Sequence, residues 1–100
     1  MYESKMKSPE VDSLFRAILS LKDLEECYRF FEDICTINEI KSIAQRLQVA
    51  KMLRNGSTFS TIAEETGAST ATISRVNRCL KYGADGYNIV LSRLAEEEAG

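Results

Sequence analysis

Residues 59–80, FSTIAEETGASTATISRVNRCL, constrain this 100-residue chain more than any other stretch. Two short helix-periodic segments flank one glycine, the pattern of two helices joined by a three-residue turn, a helix-turn-helix. Each position has a physical reason. Ile62 is expected to face the core, and Ala63 is small where the second helix crosses close. Gly67 falls where the chain leaves the first helix and takes a positive φ, cheap only without a Cβ. Ala68 packs into the corner. Ile73 and Val76 anchor the second helix inward, and Leu80 extends that stripe. Small helical hairpins in unrelated folds can carry a similar pattern, so the mutual spacing is what gives it specificity.

The rest of the chain is equally helical in its periodicity. Its only proline is Pro9, and its internal glycines, Gly56, Gly67, Gly83 and Gly86, fall between apolar-periodic segments, as helix stops do. No alternating pattern with hairpin signals is present. Six helices are predicted. The first follows Ser8-Pro9-Glu10 and carries Val11, Leu14, Phe15 and Ile18. The second is read as starting after Ser20, with Asp23 completing an acidic capping box. The third opens on the T-x-x-E box Thr36–Glu39 and stops at Asn55-Gly56. The fourth runs from about Phe59 to Thr66 behind Thr58, and the fifth from about Thr70 to Tyr82 behind Ser69. The sixth follows Asp85 and frays at Glu96-Glu97-Glu98, because a helix C-terminus disfavours anions. The expectation is one all-α domain over 1–100, with the helix-turn-helix at 59–80 and an acidic tail at 96–100.

Composition removes several classes of function. No apolar run approaches the ~20 residues that span a bilayer. The first residues lack the apolar stretch of a signal peptide, so the chain is expected in the cytoplasm. Histidine is absent, and with it the commonest general base and metal ligand. The three cysteines, Cys27, Cys35 and Cys79, form no CxxC pair, so neither a metal site nor a disulfide framework is expected. Cys79, near Arg75 and Arg78, is the one candidate nucleophile; without a base, and on the inward stripe, it does not make an enzyme. No cofactor is expected.

The formal net charge of -2 hides a pattern. Residues 41–82 hold seven Lys/Arg against Glu64 and Glu65, whereas both flanking stretches are net acidic. A basic middle between acidic ends fits either a polyanion-binding face or a solvated helix surface. The outward side of the fifth helix favours the first. Thr70, Ala71 and Ser74 lie near its N-terminus, where a recognition helix meets base edges. Hydroxyls can hydrogen-bond bases, and Ala or a Thr methyl can touch a thymine methyl. Arg75, Arg78 and Lys81 follow as cations for phosphates. Ser69 and Thr72 complete the candidate DNA-binding set, with capping the simpler role for Ser69. The hydroxyls of Ser57, Thr58, Ser60 and Thr61 can hold another phosphate or simply cap the fourth helix.

The first, second and sixth helices carry bulky apolar groups on more than one side, such as Phe30 beside Phe31 and Leu19 and Leu21 beside Ile18. That surplus favours a dimer over a monomer with scattered exposed residues. The leading function is a sequence-specific DNA-binding transcriptional regulator, a repressor, with double-stranded DNA and a second copy as partners. The alternative is a helical protein-interaction adaptor in which the helix-turn-helix only packs.

From about Leu24 to Leu94 the chain resembles the Trp repressor family, and within it the small YerC/YecD branch. GASTATISRVNRCLK, Gly67 to Lys81, is close to that family's recognition helix, and QRLQVAKMLRNG, Gln45 to Gly56, is similar to the helix before it. The resemblance implies a six-helix, Trp-repressor-like fold and an intertwined homodimer. It also implies two recognition helices in successive major grooves. Its effector pocket maps onto Thr36, Arg46, Thr72, Arg75 and Cys79. Two positions depart: Val76 replaces a glycine beside the family's indole ligand, and Cys79 replaces a serine that meets its amino group. A valine takes the indole's space, and a thiol bonds more weakly than a hydroxyl. These argue against L-tryptophan and leave a different small effector, or none.

Overall fold

The structure, a computed structural model, describes residues 2–99. The described residues form six α-helices and no strand: α1 (Pro9–Leu19), α2 (Leu24–Ile34), α3 (Ile37–Arg54), α4 (Phe59–Thr66), α5 (Thr70–Tyr82) and α6 (Gly86–Ala99). None of them is long and apolar enough to cross a membrane. Where the sequence leads one to expect a single domain over 1–100, the chain groups into two compact units. One ends at Ile37 and the other starts at Asn38.

In the first unit, Ser8 caps α1 by accepting a hydrogen bond from the Val11 N–H at 3.1 Å, and Pro9 occupies the first helical position. Lys7 Nζ lies 2.6 Å from Asp12 Oδ2, and this hydrogen bond lowers the Asp12 pKa below its usual value. The resulting stabilisation is present above the ordinary carboxylate pKa. It disappears as pH falls through the lowered one.

Ser20 corrects one sequence expectation. Its N–H donates to Arg16 and Ala17 carbonyls, and its hydroxyl donates to the Ala17 carbonyl at 2.6 Å, so it closes α1. Asp23 opens α2 instead, accepting from the Glu26 N–H at 2.8 Å, while Glu26 accepts from the Lys22 N–H at 2.9 Å. The carboxylate directly before the helix reaches its free amides. The serine lies three residues earlier, beside α1's free carbonyls. Neither α1 nor α2 buries a residue fully. Leu19 is 82% and Leu24 74% exposed, and Phe15, Tyr28, Ile34 and Ile37 are exposed as well.

The second unit holds the core. Val49, Ala50 and Met52 of α3 meet Ile62 of α4, Ala68 of the following turn, Ile73 and Val76 of α5, and Leu91 of α6. Around them pack Leu47, Leu53, Ala63, Leu80, Tyr87 and Leu94. The end of α3 is closed by glycine geometry. Gly56 has φ 85°, its N–H donates to the Leu53 carbonyl, and the Ser57 N–H donates to the Met52 carbonyl at 3.0 Å. This paired closure satisfies two carbonyls that the helix itself cannot.

The acidic end differs from its sequence reading as a frayed tail. Residues 96–99 continue α6, and Gly100 lies outside the described residues. Lys51 Nζ stands 3.7 Å from Glu98 Oε1, so a cation from α3 offsets the unfavourable anion near the end of α6.

Candidate nucleic-acid interface

The candidate site is a helix pair held by its own turn chemistry. Thr58 caps α4 by accepting from the Thr61 N–H at 3.1 Å. At the other end, the Thr66 hydroxyl donates to the Ile62 carbonyl at 2.7 Å and accepts from the Ala68 N–H at 3.1 Å. Gly67 lies between them at φ 73°, in the left-handed region. A Cβ on Gly67 would meet nothing within 4 Å, so only backbone strain opposes a side chain there. Gly67→Ala is therefore expected to cost about 1 kcal/mol in urea unfolding, and Gly67→Asn less, because Asn tolerates this conformation.

Gln45 of α3 adds a longer tie, its Nε2 donating to the Thr66 carbonyl at 3.1 Å. That bond spans 21 residues. It was not readable from local pattern, because an exposed-looking glutamine on a helix carries no sign of its partner.

The next three residues turn the chain into α5. Ala68 is buried, and Ser69 caps α5 by accepting from the Thr72 N–H at 3.1 Å. The helix then divides cleanly. Ile73 and Val76 are 0% and 1% exposed, and Leu80 packs against the same core. On the other side Thr70, Ala71, Ser74, Arg75, Arg78 and Lys81 are all exposed. The 3.6-residue period places them on one face. No acidic residue occurs in α5, and among the described residues none of its three cations forms an ion pair.

The structure sorts the remaining sequence candidates. Ser69 and Thr72 are joined, the Ser69 hydroxyl donating to Thr72 Oγ1 at 3.1 Å, so both serve the helix start. Thr72 is half-buried. Arg46 and Cys79 line one open, mainly apolar cleft of about 580 Å³ with Ile43, Leu47, Ala84, Gly86, Tyr87 and Val90. Thr72 and Arg75 do not line it. Thr36 belongs to the first unit. Val76 points into the core and leaves the cleft wall to Cys79.

A hairpin of two helices, anchored in the core by Ile62, Ile73 and Val76 and exposing a basic face on its second helix, is the arrangement of the helix-turn-helix class of proteins. Within it, the chain belongs to the Trp repressor family: the family's sequence model, Trp repressor protein, matches residues 9–95. The uncharacterized protein YerC of Bacillus subtilis (strain 168) is 64% identical over 98 residues, covering 98% of this chain and 94% of its own length. The crystal structure of a TrpR-like protein from Eubacterium eligens superposes with a TM-score of 0.88 at 66% identity. That match covers 91% of this chain and 94% of the other. A solved structure from Staphylococcus aureus gives 0.87 at 56% identity, covering 91% of each chain. The six-helix, all-α architecture is thus that of TrpR-like proteins.

Proposed function

We propose that the chain is a sequence-specific DNA-binding transcriptional regulator that represses by occupying its site. A homodimer presents two copies of α5 to successive major grooves. The observation that carries this reading is the exposed face of α5, which combines hydroxyls, a methyl and three cations without an acid. Thr70, Ala71 and Ser74 read base edges at the helix N-terminus, while Arg78 and Lys81 hold phosphates. Arg75 stands between these groups and can serve either role. Membership of the Trp repressor family supports the same assignment.

The dimer part of the proposal rests on the uncovered apolar side chains of α1 and α2, above all Leu19 and Leu24. Light scattering of the intact protein is expected to give twice the chain mass, and the Leu19→Ser/Leu24→Ser double variant to move it toward one chain. A monomeric wild type would remove the dimer. Loss of the second copy would also weaken DNA binding, because two half-sites bind together far better than one.

In-vitro selection of duplexes from a random pool tests the function itself. A near-palindromic winner is expected, its symmetry mirroring that of the dimer. Failure to enrich any duplex, with one protein co-purifying instead, would favour the adaptor reading. L-tryptophan is not proposed as an effector. The cleft presents the Cys79 thiol where a hydroxyl would bond better; Val76, expected from the sequence to take the indole's space, instead packs into the core and does not line this cleft.

A further inference from the structure

We propose that Asn88 is a positioning residue for DNA reading: it touches no DNA, but clamps the end of α5 to α6 and α3 and so sets how α5 meets base edges. This inference rests on the DNA-binding reading above. It starts from the last turn of α5, whose carbonyls have no partner within the helix. The Cys79 carbonyl accepts from the Gly83 N–H at 2.9 Å. The Leu80 carbonyl is met by a side chain from the next helix, Asn88 Nδ2, at 3.2 Å.

The second hydrogen of the same Nδ2 goes to Asp85 Oδ1 at 3.0 Å. Both neighbours are acceptors, so only the amide nitrogen can face them. Asp85 needs this support. It has φ 69°, a conformation uncommon for a residue with a side chain, and its carbonyl accepts the first hydrogen bond of α6, from the Ile89 N–H at 3.0 Å. Behind Asn88 stands α3. Arg54 Nη1 lies 3.4 Å from both the Asn88 carbonyl and Ser92 Oγ.

The turn itself leaves little slack. A Cβ on Gly83 would fall 2.5 Å from the Cys79 carbonyl oxygen, so the backbone passes close against the end of α5. Arg78 and Lys81 occupy the final turns of that helix. A tilt of its end therefore displaces the phosphate-holding cations relative to Thr70, Ala71 and Ser74 at its start. Asn88 links the three helices through one side-chain amide and its own carbonyl.

Asn88→Asp tests the clamp, being the same size but presenting only acceptors to the Leu80 carbonyl and the Asp85 carboxylate. Affinity of the full chain for the selected duplex and for a scrambled one is measured, with amide exchange in parallel. The selected-duplex affinity is expected to fall by about tenfold or more, because both hydrogen bonds from the amide nitrogen are lost, with scrambled-duplex affinity little changed. Amide exchange should quicken at Gly83 and stay slow at Val49 and Ala50. Asp85→Asn retains an acceptor oxygen and tolerates the positive φ, so it should bind within about twofold of wild type. Should Asn88→Asp not fold, Asn88→Ala is read by the same measurements.

Equal losses on both duplexes would mark a merely structural role and overturn the proposal. So would wild-type discrimination in the Asn88 variants. If the wild type itself discriminates between no duplexes, the DNA reading has failed and carries the proposal down with it. That outcome is distinct from a discriminating wild type matched by its Asn88 variants.

Discussion

Arg78→Ala is expected to weaken binding to every duplex alike, by on the order of ten- to a hundredfold for a dimer that loses one charge-assisted contact per chain. Arg78 is exposed on the acid-free face of α5, and among the described residues no ion pair holds it there. Its removal frees no buried partner and opens no cavity, so folding should be untouched. The salt dependence gives the sharper signature. Each phosphate contact contributes about -0.9 to the slope of log K against log salt, so two lost contacts should flatten it by roughly 1.8. Ser74→Ala makes the contrast. It removes a hydroxyl near the helix start and should alter preference at one or two base pairs, each worth about 1–3 kcal/mol, while leaving the salt slope alone. Equilibrium titrations at several salt concentrations check both. If both variants kept wild-type affinity and preference, α5 would not be the reader.

Ile73→Ala should act on the opposite face of the same helix and through folding alone. Ile73 is 0% exposed and packs among Ile62, Val49 and Val76 in the core. Truncation removes its apolar transfer energy and leaves a cavity that neighbouring helices fill only in part. Buried Ile-to-Ala changes cost about 2–5 kcal/mol. A small domain is stable by only about 5–15 kcal/mol, so the urea midpoint should drop steeply. The slope m should hold if the unfolded state is unchanged. Below the transition, protein that remains folded should bind DNA much as wild type does, because the outward residues are intact. An unchanged midpoint would mean that α5 is not anchored by its inward stripe.

Much of the fold was legible because its decisive contacts are local. Ser8, Thr58 and Ser69 each lie three residues before the amide they cap, and Gly67 and Gly56 announce left-handed turns directly. The two faces of α5 follow from its periodicity. What was not legible lies where several local answers compete or where partners are distant. Ser20 and Asp23 are both good caps, and only the position of α1's free carbonyls assigns Ser20 to the earlier helix. The charge of Glu98 near the end of α6 is offset by Lys51, 47 positions away in the chain and on another helix. Gln45 and Asn88 look like ordinary polar helix residues until the turns they hold are seen in space. The effector-pocket expectation divides for a similar reason. Arg46 of α3 and Cys79 of α5 line one cleft, whereas the Thr72 hydroxyl is already engaged by its own helix cap.

The outward face of α5, carried by two chains, is expected to enter a duplex. Hydroxyl-radical footprinting of the selected duplex by the intact protein tests it most directly. The expected pattern is two protected segments on one side of the helix, about 10–10.5 base pairs apart or a whole multiple of that. Uniform cleavage at protein concentrations that fully retard the same duplex, or protection with no helical phase, would contradict it.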